Sequence, residues 1–227
     1  MGVVYAISNQ KGGVGKTTTA VNVAACVAAS GAQTLLVDLD PQCNATVALG
    51  GERDMHPSSY DCLIGEVSVA AAARPAGPDN LWLVPANRDL AGAAVELPRI
   101  EGSETRLRDR LGPVRERFAY TLLDCPPSLG PVSVNALTAA DRVVVPVQAE
   151  YLALEGLVQF LDTLAVIRRE LNPALEVLGL LSPCTTNAPA WRRTSSGNCG
   201  SIFPRWSSRR SYRAASGSPR RPASACL

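Results

Sequence analysis

Lysine is almost absent from this chain, which takes nearly all of its fixed positive charge from arginine. Among 22 basic residues there are two lysines, Lys11 and Lys16, and both lie in one glycine-rich segment. The chain also has a single histidine, and 5% of its residues are aromatic. Because lysine is a compact, flexible charge that suits phosphate groups, its restriction to this segment indicates a phosphate site there.

Long apolar runs are missing as well. No stretch of the sequence approaches the roughly 18 consecutive apolar residues of a membrane-spanning helix. The first residues lead directly into a predicted strand, without the pattern of a signal peptide. The chain has 227 residues, 46% of them hydrophobic, which is enough for one core. These features predict a cytoplasmic α/β protein.

Closely spaced cysteine pairs are also missing. None of the seven cysteines forms a C-x-x-C pair, so we expect reduced thiols and neither disulfides nor a structural metal site. The lone His56 lies in a polar loop, and we expect no catalytic role for it.

The glycine-rich segment joins a predicted strand, Val3–Ile7, to a helical pattern that begins at Thr18 and Thr19. In a P-loop, backbone N–H groups and the helix N-terminus surround phosphate oxygens. The final lysine neutralises the β- and γ-phosphates, and the next hydroxyl binds Mg²⁺. The segment therefore predicts an ATP and Mg²⁺ site, with Lys16 and Thr17 in these two roles. The residues that would bind the nucleotide are Lys11, Gly12, Gly13, Val14, Gly15, Lys16, Thr17 and Thr18.

The loop departs from the ordinary Walker A pattern at one position. That pattern has glycine six residues before its final lysine, whereas this chain has Gln10 there, followed by the additional Lys11. Lys11 lies too far round the loop to repeat the role of Lys16 on the same nucleotide. We therefore expect a deviant Walker A motif in which Lys11 reaches the phosphates of a dimer partner.

Two further predicted strands end in aspartates. Thr34–Val37 leads into Asp38-Leu39-Asp40, and Tyr120–Leu123 leads into Asp124-Cys125-Pro126-Pro127, which has the form of a Walker B segment. In an open α/β sheet, ligands bind at the carboxyl ends of the strands. A carboxylate there can hold Mg²⁺ through its water shell or orient a water for attack on the γ-phosphate. For either cluster alone, a capping or turn role would explain the residues equally well.

Strands and helices continue to alternate along the chain. Further strands are predicted at Leu81–Val84, Arg142–Val145 and Glu176–Leu181, and helices over residues 59–72, 103–117, 132–139 and 153–170. This alternation predicts an α/β fold, a doubly wound and mostly parallel sheet with helices on both faces.

Together these segments resemble the ParA/Soj family of chromosome- and plasmid-partition ATPases, within the MinD/ParA group. The resemblance covers residues 1–181 and includes Asn44-Ala45-Thr46, Pro85-Ala86-Asn87 and Val145–Tyr151. It implies a P-loop NTPase that forms a homodimer on binding ATP and binds nucleoid DNA non-specifically. It also implies a ParB/Spo0J-type partner that stimulates hydrolysis. It also implies a role for each matching site residue: Lys11 crosses the dimer, Lys16 binds phosphate, Thr17 binds Mg²⁺, Asp40 positions water, and Asp124 is the Walker B aspartate.

Two alternatives stay open at this point. A MinD-type division ATPase on a membrane shares the deviant loop, although the segment Val147–Tyr151 favours the ParA branch and no membrane association is expected. The other alternative is an inactive product whose basic tail binds nucleic acid. Iron–sulfur relatives would need cysteines placed to bridge a dimer, and a metabolic amidoligase of the group would need a further substrate domain.

Residues 182–227 differ sharply from the rest of the chain. They contain eight arginines, ten serines and no acidic residue, which gives a net charge of +8. Residues 1–181 carry 14 basic and 20 acidic residues, a net charge of −6. At face value the tail is a disordered arm suited to binding nucleic acid through its phosphates.

A shifted reading frame explains the tail better. Ser, Arg, Pro, Ala and Gly are what GC-rich coding DNA yields out of frame. If each codon takes the third base of one codon and the first two of the next, permitted wobble bases give an amphipathic helix, a strand and the ParA-like segments VPR and EAPSFG. We therefore expect residues 1–181 to be a C-terminally incomplete ATPase domain, residues 182–227 to be out of frame and disordered, and strand 176–181 to be exposed.

Overall fold

Seven strands form one sheet in the part of the chain that the computed structural model describes, residues 2–148 and 153–182. The order across the sheet is β3-β4-β2-β5-β1-β6-β7, and all neighbours are parallel except β3 and β4. The strands are β1 (Val3–Ile7), β2 (Thr34–Asp38), β3 (Arg74–Pro75), β4 (Leu81–Val84), β5 (Tyr120–Asp124), β6 (Arg142–Pro146) and β7 (Glu176–Leu181).

Helices connect these strands. They are α1 (Lys16–Ala29), α2 (Asn44–Ala48), α3 (Ser59–Leu63), α4 (Val69–Ala72), α5 (Leu90–Glu96), α6 (Arg106–Leu111), α7 (Pro131–Ala139) and α8 (Ala153–Glu170). The predicted α/β class with a doubly wound, mostly parallel sheet is confirmed. Within the described ranges no helix has the length and apolar character needed to cross a membrane.

The central strands are buried on both faces. Every residue of β2 and β5 is buried, and β1 is buried from its second residue onward. Strands covered by helices on both faces read as continuous apolar runs, which is why the sequence pattern located them well. This packing fixes the carboxyl ends of β1, β2 and β5 relative to one another.

Three helix predictions were wrong in extent. The first helix begins at Lys16, two residues before Thr18. The single helix predicted over residues 59–72 is two short helices, α3 and α4, with a break at Gly65. Arg106 and Arg110 donate to backbone carbonyls at this break, including that of Gly65. The arginines therefore satisfy carbonyls that a continuous helix would have paired internally.

The prediction of a helix over residues 103–117 was also wrong in extent. This segment contains a 3₁₀ turn at 103–105, helix α6 and a second 3₁₀ turn at 112–114. Pro113, which has no backbone N–H, lies in that second turn. The helices α2 and α5 and the two-residue strand β3 were not predicted, because all three are too short for a clear periodicity.

Strand β7 lies at one edge of the sheet and pairs only with β6 among the described residues. Val177 is 40% exposed and Leu180 58% exposed. Helix α8 buries Leu157, Phe160, Leu164 and Ile167, while its Val158, Leu161 and Val166 are 39–59% exposed. This end of the described fold therefore presents apolar side chains from both a strand and a helix. The tail beyond residue 182 and the segment 149–152 lie outside the described residues.

We expect self-association of the chain to depend on the β7 edge. A charge on an edge strand opposes strand-to-strand pairing, so Leu180→Lys should lower aggregation. Val95 on α5 is also 58% exposed and provides a matched control, Val95→Lys. Light scattering at increasing protein concentration should show less association for Leu180→Lys and no change for Val95→Lys. Equal effects of both substitutions would contradict the assignment to this edge.

Candidate nucleotide and magnesium site

The glycine-rich loop runs from the carboxyl end of β1 to the first residue of α1. Gly13 (φ 73°) and Gly15 (φ 86°) have left-handed backbone conformations, which residues with side chains rarely adopt. Gly15 caps α1 without a side-chain hydrogen bond. The N–H groups of the first helical turn are therefore available to an anion, which the positive end of the helix also favours.

Two polar side chains attach this loop to the segment at β6. Asn9 donates from Nδ2 to the carbonyl of Pro146 (2.6 Å) and accepts the Lys11 N–H at Oδ1 (3.0 Å). Gln148 donates from Nε2 to the carbonyl of Gly13 (3.0 Å). Neither Asn9 nor Gln148 was predicted as a site residue, because their bonds to Pro146 and Gly13 join residues 137 and 135 positions apart in the sequence. These bonds hold the loop against the segment that ends β6.

Lys16 is buried, with 6% of its surface exposed, and its ammonium donates to the carbonyl of Lys11 (3.0 Å). Burial lowers the pKa of this ammonium, whereas the carboxyl groups of Asp124 and Asp40 act to raise it. An ammonium group has three donors, so Lys16 keeps donors for phosphate oxygens.

The three aspartates predicted from the sequence meet at the same edge of the sheet. Asp124 is in register with Ile7 of β1 on one side and with Asp38 of β2 on the other. Asp38 and Asp124 have no exposed surface, and Asp40, just after β2, is 7% exposed. The loop, the Walker B strand and the Asp38-Leu39-Asp40 segment therefore form one acidic, buried site around Lys16.

Asp124 is the most unusual group of this site. Neither of its carboxylate oxygens meets hydrogen-bond geometry with a described residue, although the Thr17 hydroxyl lies near enough to lower its pKa. Burial is the main cause that raises its pKa to about 8, and the charge of Asp38 adds to this, whereas Thr17 and Lys16 act in the opposite direction. A buried carboxylate whose charge is poorly compensated favours a bound cation or a proton.

Asp40 is held by hydrogen bonds to the side chain of Asp38 and to the backbone of Gln42. Its N–H donates to Oδ1 of Asp38 (3.1 Å), and its own Oδ1 accepts the N–H of Gln42 (2.9 Å). Its second oxygen, Oδ2, takes no such bond within residues 2–148 and 153–182. That oxygen can accept a hydrogen bond from a water molecule.

The donor set fits Mg²⁺ bound together with a nucleotide. Among the described residues, no three His, Cys, Asp or Glu side chains are grouped to hold a metal ion by themselves. Mg²⁺ at nucleotide sites takes most of its ligands from phosphates and water, plus one or two protein oxygens. Thr17 and Asp124 are the protein groups that fit this arrangement.

Comparison with known proteins identifies the family of the chain. A family model described as an AAA domain matches residues 2–177. The sporulation initiation inhibitor protein Soj of Bacillus subtilis is 48% identical over 182 residues, 80% of this chain and 72% of Soj. The chromosome partitioning protein ParA of Caulobacter vibrioides is 47% identical over 181 residues, 78% of this chain and 68% of that ParA. The chain belongs to the ParA/Soj family of partitioning ATPases.

A solved structure places the fold of this ParA/Soj-family chain among nucleotide-binding proteins. It comes from Mycobacterium smegmatis and is described as cobyrinic acid a,c-diamide synthase with a bound ATP analogue and magnesium. It is 40% identical, has a TM-score of 0.79, and the match covers 86% of this chain and 80% of that one. The family and the fold class predicted from the sequence are thereby confirmed.

We expect binding of Mg·ATP to this ParA/Soj-family site to release a proton from Asp124. Because the pKa of its carboxyl is raised to about 8, the group is protonated at pH 7, and a bound cation favours the carboxylate. Calorimetry in buffers with different ionisation enthalpies should detect this release at pH 7 and a smaller one at pH 9.

Asp124→Asn provides the control, because it removes the titrating group and leaves the ionisation of ATP itself. Equal proton release by the wild type and Asp124→Asn would contradict the assignment.

The stability of the ligand-free fold should also depend on pH. The folded-state pKa lies above the ordinary value of 3.8, so the ligand-free fold loses stability as the pH rises towards 8. Asp124→Asn should remove that dependence.

Proposed function

We propose that this chain is an ATP-dependent partition switch that binds Mg·ATP, dimerises and hydrolyses ATP to ADP and phosphate. Chromosomes or plasmids are the cargo. The observation that carries this proposal is the buried carboxylate of Asp124, with its raised pKa, beside Lys16 and the first turn of α1, which has no side-chain cap. This combination of a cation site and an anion site suits a metal–triphosphate complex.

Binding of the triphosphate uses the loop. The backbone amides from Gly12 to Thr18 bind phosphate oxygens, and the positive end of α1 favours their charge. Lys16 exchanges its hydrogen bond to the Lys11 carbonyl for the phosphates. Thr17 and Asp124 would hold Mg²⁺, with Asp124 acting through water. The metal, when bound, neutralises charge on the phosphate oxygens.

Hydrolysis uses Asp40 and a second copy of the chain. Asp40 accepts a hydrogen bond from the attacking water through the oxygen that Gln42 leaves unused. Lys11 of one subunit supplies positive charge to the transition state in the other, as an arginine finger does. Turnover is slow until a partner protein orders this arrangement.

The proposed partners are a ParB/Spo0J-type protein as the stimulator and non-specific DNA of the nucleoid as the surface. The relatives named for chromosome partitioning support a role in segregation. An ATP-bound homodimer is the DNA-binding form, in the cytoplasm.

We propose further that a single-base deletion near codon 182 separates the ATPase domain, residues 1–181, from an out-of-frame tail, residues 182–227. The family match ends at residue 177, and the curated alignments span 178–182 residues. The family match thus ends close to the point where the composition changes, which supports this proposal. The restored frame would supply later strands, a closing helix and much of the basic DNA-binding surface.

Substitutions at the site should separate ATP binding from hydrolysis. Asp40→Ala should bind Mg·ATP and dimerise like the wild type but lose hydrolysis by about 100-fold or more, because the water loses its acceptor. Lys16→Ala should lose binding of the triphosphate. Fluorescent ATP titration, light scattering and phosphate release measure the three properties. Asp40→Ala hydrolysing ATP at the wild-type rate would contradict the role of Asp40.

Sequencing the coding DNA from the source genome tests the reading frame. Across codons 178–186 we expect one additional base, and the corrected chain should continue with a helix and a strand. The corrected chain should also be monodisperse and melt cooperatively. Genomic DNA that encodes the tail as written would contradict a sequencing error and would mean that the frameshift is real. A measurement of ATP binding by the chain would then show whether the site is functional.

A further inference from the structure

Asp38 is fully buried at the end of β2 and accepts three hydrogen bonds. Its Oδ1 accepts the N–H of Asp40 (3.1 Å). Its Oδ2 accepts both the N–H (2.8 Å) and the hydroxyl (2.7 Å) of Thr46 in α2. One carboxylate therefore joins the backbone of Asp40 to the helix that follows it.

Thr46 extends this connection to the next strand. Its hydroxyl donates to Asp38 and accepts the N–H of Ala86 (2.9 Å), which follows β4. A hydroxyl has one donor and two acceptor positions, so Thr46 can make both bonds at once. Its side chain has no exposed surface, and water does not compete for these bonds. The ends of β2 and β4 are thus bridged by a single buried hydroxyl.

The turn between β2 and α2 is closed at several points. The N–H of Cys43 donates to the carbonyl of Asp40 (2.9 Å), and Cys43 itself has a left-handed backbone conformation (φ 56°). With the N–H of Asp40 held by Asp38, the backbone of Asp40 is fixed on both sides. A shift of Asp38 or Thr46 would move the carboxylate of Asp40.

Support for α2 alone does not require a charged residue at position 38. Asp38 lies in register with Asp124, so two buried carboxylates stand side by side on neighbouring strands. Like charges at such positions repel each other. A neutral acceptor could hold the start of α2 without that repulsion, whereas a carboxylate accepts all three bonds at once.

We propose that Asp38 and Thr46 are positioning residues for hydrolysis, which fix the turn carrying Asp40 through a hydrogen-bonded bridge from β2 to the segment after β4. This inference rests on the proposed role of Asp40. Neither residue contacts the nucleotide in this proposal. They act on the rate of the chemical step and leave the affinity for ATP unchanged.

A pair of substitutions at Thr46 isolates the hydroxyl. Thr46→Val keeps the shape of the side chain and removes both hydrogen bonds of the hydroxyl, whereas Thr46→Ser keeps the hydroxyl. We expect Thr46→Val to lower kcat by about 10- to 100-fold, in the range that misplacement of a catalytic group causes, with an unchanged Kd for Mg·ATP. Thr46→Ser should restore most of that loss.

A core substitution controls for lost stability. Leu111→Ala truncates a buried side chain of α6, outside the site, and should lower Tm without lowering kcat below its own melting transition. A kcat for Thr46→Val equal to that of Thr46→Ser would overturn the proposal. So would a weakened Kd for Mg·ATP, or a kcat loss in Leu111→Ala of the same size.

Amide hydrogen exchange gives a readout that does not depend on activity. In the ligand-free full chain, Thr46→Val should speed exchange across residues 39–43 relative to Thr46→Ser, with no difference in β5. Identical exchange in the two variants would overturn the proposal even in a chain that hydrolyses no ATP. If exchange changes as expected but Asp40→Ala keeps its activity, the proposed function is wrong and the hydrogen-bonded bridge has a structural role only.

Discussion

One buried ammonium faces three buried carboxylates at the carboxyl edge of the sheet, and the rest of the site depends on this imbalance. Lys16 cannot neutralise Asp38, Asp40 and Asp124 together, and burial raises the pKa values of Asp38 and Asp124 to about 6 and about 8. Desolvation makes an uncompensated anion costly, so the site favours protons or a divalent cation. Mg²⁺ carried in with a triphosphate supplies the missing positive charge. Without its ligand, the protein therefore has uncompensated negative charge at the proposed functional site.

Strand order produces this arrangement. β5 lies between β2 and β1, so the Walker B aspartate stands next to both the glycine-rich loop and the Asp38-Leu39-Asp40 segment. The chain leaves β1 towards β2 and later returns to the other side of β1 with β6, which makes the end of β1 a switch point of the sheet. Asn9 and Gln148 then attach the loop to β6, so both neighbours of β1 shape the site.

The sequence was sufficient for features that depend on local pattern. Buried strands such as β4 were located at their observed bounds because runs of apolar, aromatic and β-branched residues are typical of strands. The glycine-rich loop was located because its residue types and spacing are typical of a phosphate-binding loop. Features that depend on residues far apart in the sequence could not be predicted from it. The break at Gly65 requires arginines some forty positions later, and the bond from Asn9 to Pro146 joins residues 137 positions apart. Thr46 was visible in the sequence only as part of a family-like segment, and its bridge to Ala86 needs the folded sheet.

A crystal structure of the chain with Mg²⁺ and a non-hydrolysable ATP analogue tests the central claim most directly. The account predicts Mg²⁺ at about 2.1 Å from the Thr17 hydroxyl oxygen, with Asp124 bound to it through water. It also predicts that the Lys16 ammonium leaves the Lys11 carbonyl for the phosphates. A nucleotide bound with Lys16 still on that carbonyl, or with no metal near Asp124, would contradict the claim that this buried charge imbalance exists to receive a metal–triphosphate complex.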